Sequence, residues 1–180
     1  MDFDFDIFPD NKEDVVGMIT LKGNLDGLFP SVWREEIIYA RKDGLDLHVI
    51  YLHPEMYYEK EKKFPVIFYS QGSAWDKQHL PLNAVNYDPI VRAGYSVAII
   101  EYRDQQTAGI PAQTEDTFDA IRYMLERCDE FHIDTENVFV GGDSSGAHTA
   151  LSVFALWNAE NEDLPPLRGC LDFYAPCDLE

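Results

Sequence analysis

One short stretch of this chain has the residue types and spacing for covalent catalysis. Gly142-Asp143-Ser144-Ser145-Gly146 sets a serine between two glycines at G-x-S-x-G spacing. That pattern marks a strand, a sharp turn carrying a nucleophile, and a helix. Such a turn holds its nucleophile at a strained backbone position and leaves no room for side chains two residues away. Gly142 and Gly146 meet that demand. A serine presented this way can attack a carbonyl carbon, and the oxyanion that forms must find hydrogen-bond donors. The backbone N–H of Ser145, directly after the nucleophile, is one expected donor. Three fixed positions in five carry little alone, so the flanking elements decide.

Those elements are legible. Val138-Phe139-Val140 runs into Gly141 and Gly142 as an apolar strand, and residues 145–158 carry small and apolar residues at helical spacing. Upstream, residues 64–70 and 95–102 are continuous apolar runs, the kind buried on both faces of a parallel sheet. The loop Gln71-Gly72-Ser73-Ala74-Trp75 follows the first of them at once. In an open α/β sheet, ligands bind beyond the carboxyl ends of the strands, where this loop and the serine turn both belong. Residues 35–40 and 45–52 flank Asp43-Gly44, a strong hairpin signal. Asp88-Pro89 is expected to cap and start a short helix that Ala93-Gly94 ends. Pro111 opens a longer helix to about Phe131, with Glu115 and Asp116 in its first turn, where the helix dipole favours them. After Pro165-Pro166, residues 169–174 read as a last strand. Strand–helix alternation of this kind predicts an α/β fold: a mostly parallel sheet, an N-terminal antiparallel hairpin, and helices on both faces. Residues 1–30 read as an acidic arm, in which the alternating Asp and Phe of residues 2–6 suit docking by the Phe rings first and an edge strand second, and residues 31–180 read as the domain.

In order and spacing, these stretches resemble the α/β-hydrolase superfamily, and within it the esterases related to hormone-sensitive lipase and the acetyl-xylan and feruloyl esterases. The resemblance rests on residues 64–75, 94–103, 110–122 and 141–148, and extends from about Arg34 to the end. It implies a serine carboxylic-ester hydrolase for small acyl esters, such as acetyl or feruloyl groups on carbohydrate, with Ser144 as nucleophile and no cofactor. Gln71-Gly72-Ser73-Ala74 aligns with the family's His-Gly-Gly-Gly. The N–H groups of Ser73 and Ala74 are therefore expected to join that of Ser145 as oxyanion donors. Gln71, Gly72 and Trp75 are expected at the substrate pocket, although Trp75 serves equally as core packing. Ser73 and Ala74 stand where the family has glycine, so a positive φ there would be strained.

The family's triad continues with Asp or Glu and then His, after the seventh and eighth strands; here the strand pattern ends at about the sixth. The expectation is therefore a partial hydrolase domain, the nucleophile and oxyanion half, with the triad Asp and His absent and ester hydrolysis impaired. His148, the one histidine after Ser144, reads first as a packing residue, His79 as a solvated loop residue, and Asp178 as a structural cap. A base role for either histidine, or an acid role for Asp178, comes second. Asp143 is expected to bond near the helix start, and Arg103 to anchor an ion pair. A peptidase or an arylformamidase of the same fold, or a non-catalytic ligand-binding or scaffold protein, are the alternatives.

Composition narrows the partners. With 33 acidic against 14 basic residues, the formal charge of −19 repels nucleic acid and anionic membranes. A 46% hydrophobic content over 180 residues is enough for one globular core. No apolar run reaches membrane-spanning length, and the start of the chain is acidic where a signal peptide is basic; a cytoplasmic location is expected for the chain as it stands. Cys128, Cys170 and Cys177 form no C-x-x-C pair and are expected as reduced thiols rather than metal ligands. An apolar last strand left unpaired would favour self-association.

Overall fold

Asp43 and Gly44 both take positive φ, 52° and 76°, the conformation of the two-residue turn whose twist matches paired strands. They join β1 (Val32–Lys42) and β2 (Leu45–Pro54) as an antiparallel hairpin with an irregularity between Ile38 and Ala40. The computed structural model describes residues 32–54, 61–160 and 164–178. The acidic arm of residues 1–30 and its expected docking lie outside the described residues.

Four more strands complete the sheet: β3 (Phe64–Ser70), β4 (Ser96–Ile100), β5 (Ile133–Asp143) and β6 (Gly169–Phe173). Their order is β1-β2-β4-β3-β5-β6. β2 meets β4 antiparallel, whereas β4, β3, β5 and β6 run parallel. The N-terminal hairpin on an otherwise parallel sheet is the α/β-hydrolase arrangement that the motif order implied.

The central strands lack polar alternation because both of their faces are covered. Val49, Tyr51, Val66, Phe68, Ala98 and Ile100 point to one face. There they pack with Phe118, Ile121 and Met124 of α3 (Ile110–Leu125), and with Ala150, Val153 and Trp157 of α4 (Ser145–Glu160). Ile50, Leu52, Ile67, Tyr69, Val97 and Ile99 point to the other. That face is covered by Leu80 of α1 (Leu80–Asn83), Tyr87 of a 3₁₀ turn (Ala84–Tyr87) and Val91 of α2 (Asp88–Arg92). Among the described residues, no helix is long and apolar enough to cross a membrane.

Local differences from the sequence reading have local causes. Asp88 does not cap α2: it is already helical, and its carboxylate accepts from Arg92 Nε at 2.7 Å, one turn on. α1 and the 3₁₀ turn carry no periodic signal and were not expected. α3 ends at Leu125 instead of near Phe131, and the chain leaves it through tight turns such as Phe131 N–H to Arg127 O at 3.1 Å. Glu115 and Asp116 lie beyond the first turn of α3, and Asp116 is fully buried as the partner of Arg103 and Lys42. That ion pair is the anchoring role expected of Arg103. The three cysteines are free thiols.

Candidate active site

β5, paired between β3 and β6, ends at Asp143 and delivers Ser144 directly. Ser144 takes φ of 50°, a left-handed conformation uncommon for any residue with a Cβ, and persists there because its surroundings over-determine it. Its N–H donates to Phe173 O at 2.9 Å, and its carbonyl accepts from the N–H groups of Ala147 and His148 at 3.0 and 3.2 Å. The glycines are obligatory. A Cβ on Gly146 would lie 2.0 Å from Ser70 O, and one on Gly142 would lie 2.4 Å from Gly146 O. β5, β3 and the first turn of α4 therefore meet backbone to backbone.

The loop after β3 is drawn onto this turn. A Cβ on Gly72 would lie 2.5 Å from Asp143 O and 3.0 Å from Ser144 Cβ, so glycine at that position allows the loop and Ser144 to touch. Gly72 N–H donates to Asp143 Oδ1 at 3.0 Å, and Ser73 N–H donates to Ser145 Oγ at 3.0 Å. Ala74 and Trp75 take positive φ, 54° and 60°, so the strain expected for residues standing in glycine positions falls on this pair and not on Ser73.

Beneath the loop, Gln78 and Tyr102 form a buried support that the sequence reading did not identify. Tyr102 O–H donates to Gln71 O at 2.8 Å, and Gln78 Nε2 donates to Gln71 O and Ile100 O. Tyr102 N–H in turn donates to Gln78 Oε1 at 2.9 Å. Burial pushes the Tyr102 hydroxyl above its ordinary value, which keeps it a donor. These partners come from three separate segments, and no spacing along the chain relates them.

Several expected roles shift. The Asp143 carboxylate does not bond at the helix start. It accepts from Gly72 N–H, from Tyr69 O–H at 3.0 Å and from Tyr174 O–H at 3.3 Å. Ser73 N–H, expected as an oxyanion donor, is already given to Ser145 Oγ. Ser145 is the first residue of α4, where backbone N–H groups have no acceptor within the helix. The Gln71 side chain is buried with Oε1 unpaired. Trp75 packs edge-on against His148, ring centres 5.9 Å apart, and its carbonyl accepts from Gln113 Nε2 at 3.2 Å.

Among the described residues, no histidine side chain hydrogen-bonds Ser144. His48 pairs with Glu101 at 2.7 Å, His53 with Glu35 at 3.3 Å, and His79 lies exposed before α1. His148 lines a groove between α3 and α4 together with Thr114, Phe118 and Ser152. Asp178 is exposed beyond β6. Nor do the described residues hold a cluster of three or more His, Cys, Asp or Glu that could bind a metal ion.

On one side of the elbow, a groove of about 510 Å³ is lined by Ile67, Tyr69, Tyr87, Asp143, Phe173 and Tyr174, among others. Burial pushes the Tyr87 hydroxyl up to about 12. The arrangement as a whole is a strained serine at the positive end of a 16-residue helix, with a backbone loop in contact with it. This is a geometry that meets a developing oxyanion with helix dipole and N–H donors.

The chain is similar to known proteins. A family model described as BD-FAE matches residues 50–179. The probable carboxylesterase 5 of Arabidopsis thaliana is 25% identical over 154 residues, which cover 79% of this chain and 48% of that protein. A structure titled bacterial heroin esterase superposes with a TM-score of 0.65 at 22% identity, over 81% of this chain and 44% of the other. The native Est2 esterase of Thermogutta terrifontis superposes with a TM-score of 0.67 at 16% identity, over 84% of this chain and 54% of the other. At such identities the structural likeness is one of fold. The chain spans about half the length of these relatives.

Proposed function

The chain belongs to the BD-FAE family of the α/β-hydrolase superfamily, and from that premise we propose that it carries the nucleophile half of a serine carboxylic-ester hydrolase. The substrates are small acyl esters, with acetyl and feruloyl esters of carbohydrate as the class to test first. One observation carries the reading: Ser144 is held at φ of 50° between two glycines that admit no side chain. That strain has no use in packing and one use in chemistry, which is to present an oxygen at the start of a helix.

In the proposed reaction, Ser144 Oγ attacks the ester carbonyl and gives up its proton to a base. The reading assigns that base, and the carboxylate that orients it, outside the described residues. The carbonyl oxygen becomes an oxyanion, met by the N–H groups of Ser145 and Ala74. Ser73 N–H joins them only by leaving Ser145 Oγ. Collapse expels the alcohol with the transferred proton and leaves an acyl group on Ser144, which water then removes by the same steps in reverse order.

The test is a short-chain chromogenic ester assay on wild type and Ser144→Ala. In protein that includes the segment carrying the base, the variant is expected to lose at least about 10³-fold in kcat, as removal of a catalytic nucleophile does. Equal rates in that protein would remove Ser144 from the mechanism.

A further inference from the structure

The two residues that flank Ser144 hold two successive N–H groups of the loop after β3. Asp143 Oδ1 takes Gly72 N–H and Ser145 Oγ takes Ser73 N–H, each at 3.0 Å. We propose that Asp143 and Ser145 are positioning residues: a two-point clasp that fixes the oxyanion loop in register with the nucleophile. This rests on the hydrolase reading above for its catalytic meaning, but the clasp is a physical device that can be tested without it.

Three observations argue for a clasp over incidental contact. A carboxylate beside a site where negative charge develops is unfavourable by Coulomb's law, so its presence needs a compensating use. The structure shows that use: Gly72 N–H, Tyr69 O–H and Tyr174 O–H converge on one carboxylate, and three donors disperse its charge. Tyr69 remains a donor because burial, then Tyr87 and Asp143, push its hydroxyl well above the ordinary range. Second, Gly72 lies against the Asp143 carbonyl and the Ser144 Cβ, where no side chain fits. The bond is therefore made at the closest approach of loop and elbow. Third, Ser145 is buried, where an apolar residue would pack as well, and its oxygen is spent on Ser73 N–H. Ala74 and Trp75 follow immediately with positive φ. A loop that carries strain at two successive residues relaxes unless its stem is held. The clasp holds the stem on the elbow side, while Tyr102 and Gln78 hold Gln71 from below.

Two measurements on purified protein that includes the segment carrying the base test this. In the first, an alkyl fluorophosphonate labels Ser144, followed by intact mass and peptide mapping, and the saturation kinetics separate kinact from KI. Asp143→Ala is expected to lower kinact about 10²-fold with KI little changed, as misplacement of a reacting group does. Asp143→Asn keeps an oxygen for Gly72 N–H and is expected to restore most of that rate. Ser145→Ala, a small change that the buried site can absorb, is expected to lower kinact about tenfold, in line with loss of one hydrogen bond. An Asp143→Ala variant labelled as fast as wild type would overturn the proposal. So would a Ser145→Ala variant labelled faster than wild type, since Ser145 would then compete for Ser73 N–H rather than position it.

The second measurement is amide hydrogen exchange by NMR. Gly72 N–H is expected to lose protection in Asp143→Ala, and Ser73 N–H in Ser145→Ala, each without change in the amides of β4. Unchanged exchange at both sites overturns the clasp. If wild-type Ser144 takes no label, the hydrolase reading fails by itself, and exchange still decides whether the clasp exists.

Discussion

Ser144 carries a Cβ in a backbone region where a Cβ costs about 1–2 kcal/mol. Replacing it separates strain from chemistry. Both Ser144→Ala and Ser144→Gly remove the oxygen, but only glycine removes the Cβ. Urea unfolding is therefore expected to show Ser144→Gly more stable than Ser144→Ala by about 1 kcal/mol, the relief at the left-handed position exceeding the backbone entropy that glycine adds. Coincident midpoints would mean that the turn is not strained. At this scale the sequence was informative where sterics leave one solution. Gly142 and Gly146 were legible because no side chain fits against Ser70 O or Gly146 O. Asp143 was not legible, because its three donors come from residues 69, 72 and 174, and nothing in its neighbours along the chain distinguishes such a carboxylate from a helix cap.

Among the elements, α3 shows most clearly how a helix is fixed in place by charge. Asp116 is fully buried on its inner face, where Arg103 Nε donates to Oδ2 at 2.9 Å and Lys42 Nζ donates to Oδ1 at 2.8 Å. One carboxylate thereby ties α3 to the end of β1 and to the segment after β4. Burial alone would raise this carboxyl, but the bonds from Arg103 and Lys42 hold it below the ordinary range. Its contribution to stability is therefore complete above the unfolded value of about 4. That contribution is lost as the pH falls through the lower, folded value. Asp116→Asn leaves Arg103 short of its charge partner and is expected to destabilise the fold by about 3 kcal/mol at pH 7. The same comparison by urea unfolding below pH 3 should show a smaller gap, because the wild-type carboxyl is then becoming protonated. A gap that stays constant from pH 7 to that range would falsify the ion-pair account and leave only packing. Phe118, Ile121, Leu125 and Cys128 recur at helical spacing, and such apolar spacing marks a helix because one face must meet the sheet. Its sequence did not reveal that Asp116 faces inward.

At the scale of the whole molecule, β6 is paired with β5 on one side, and among the described residues no strand lies on its other side. Leu171 and Phe173 along it are 41% and 50% exposed, and Tyr174 just beyond it is 75% exposed. An open apolar edge of this kind invites pairing with another strand. We propose that it drives self-association of the 180-residue chain, against the repulsion of a formal charge of −19. Sedimentation velocity is expected to show a concentration-dependent oligomer that grows as salt rises from about 0.01 to 0.15 M, since screening contracts the range of repulsion from roughly 30 to 8 Å. Leu171→Lys, which puts a cation at the edge, is expected to return the chain to monomer. A wild-type monomer at every salt concentration would exclude this edge as a contact.

What the amino-acid sequence determined by itself is what short-range physics dictates. Apolar runs of strand length, helical spacing and the Asp43-Gly44 turn gave the elements and their order. The G-x-S-x-G turn gave the strained serine, because so tight a bend has few chemical solutions. Only the tertiary structure decided the wiring around Ser144. It showed that Ser73 N–H is already bonded, that Asp143 holds Gly72, that Gln71 faces inward, and that Tyr102 and Gln78 support the loop. Each of these is a hydrogen bond between segments far apart in the chain. Its existence depends on the register in which β3, β4 and β5 lie side by side, and no local pattern of residues encodes that register at the level of single atoms.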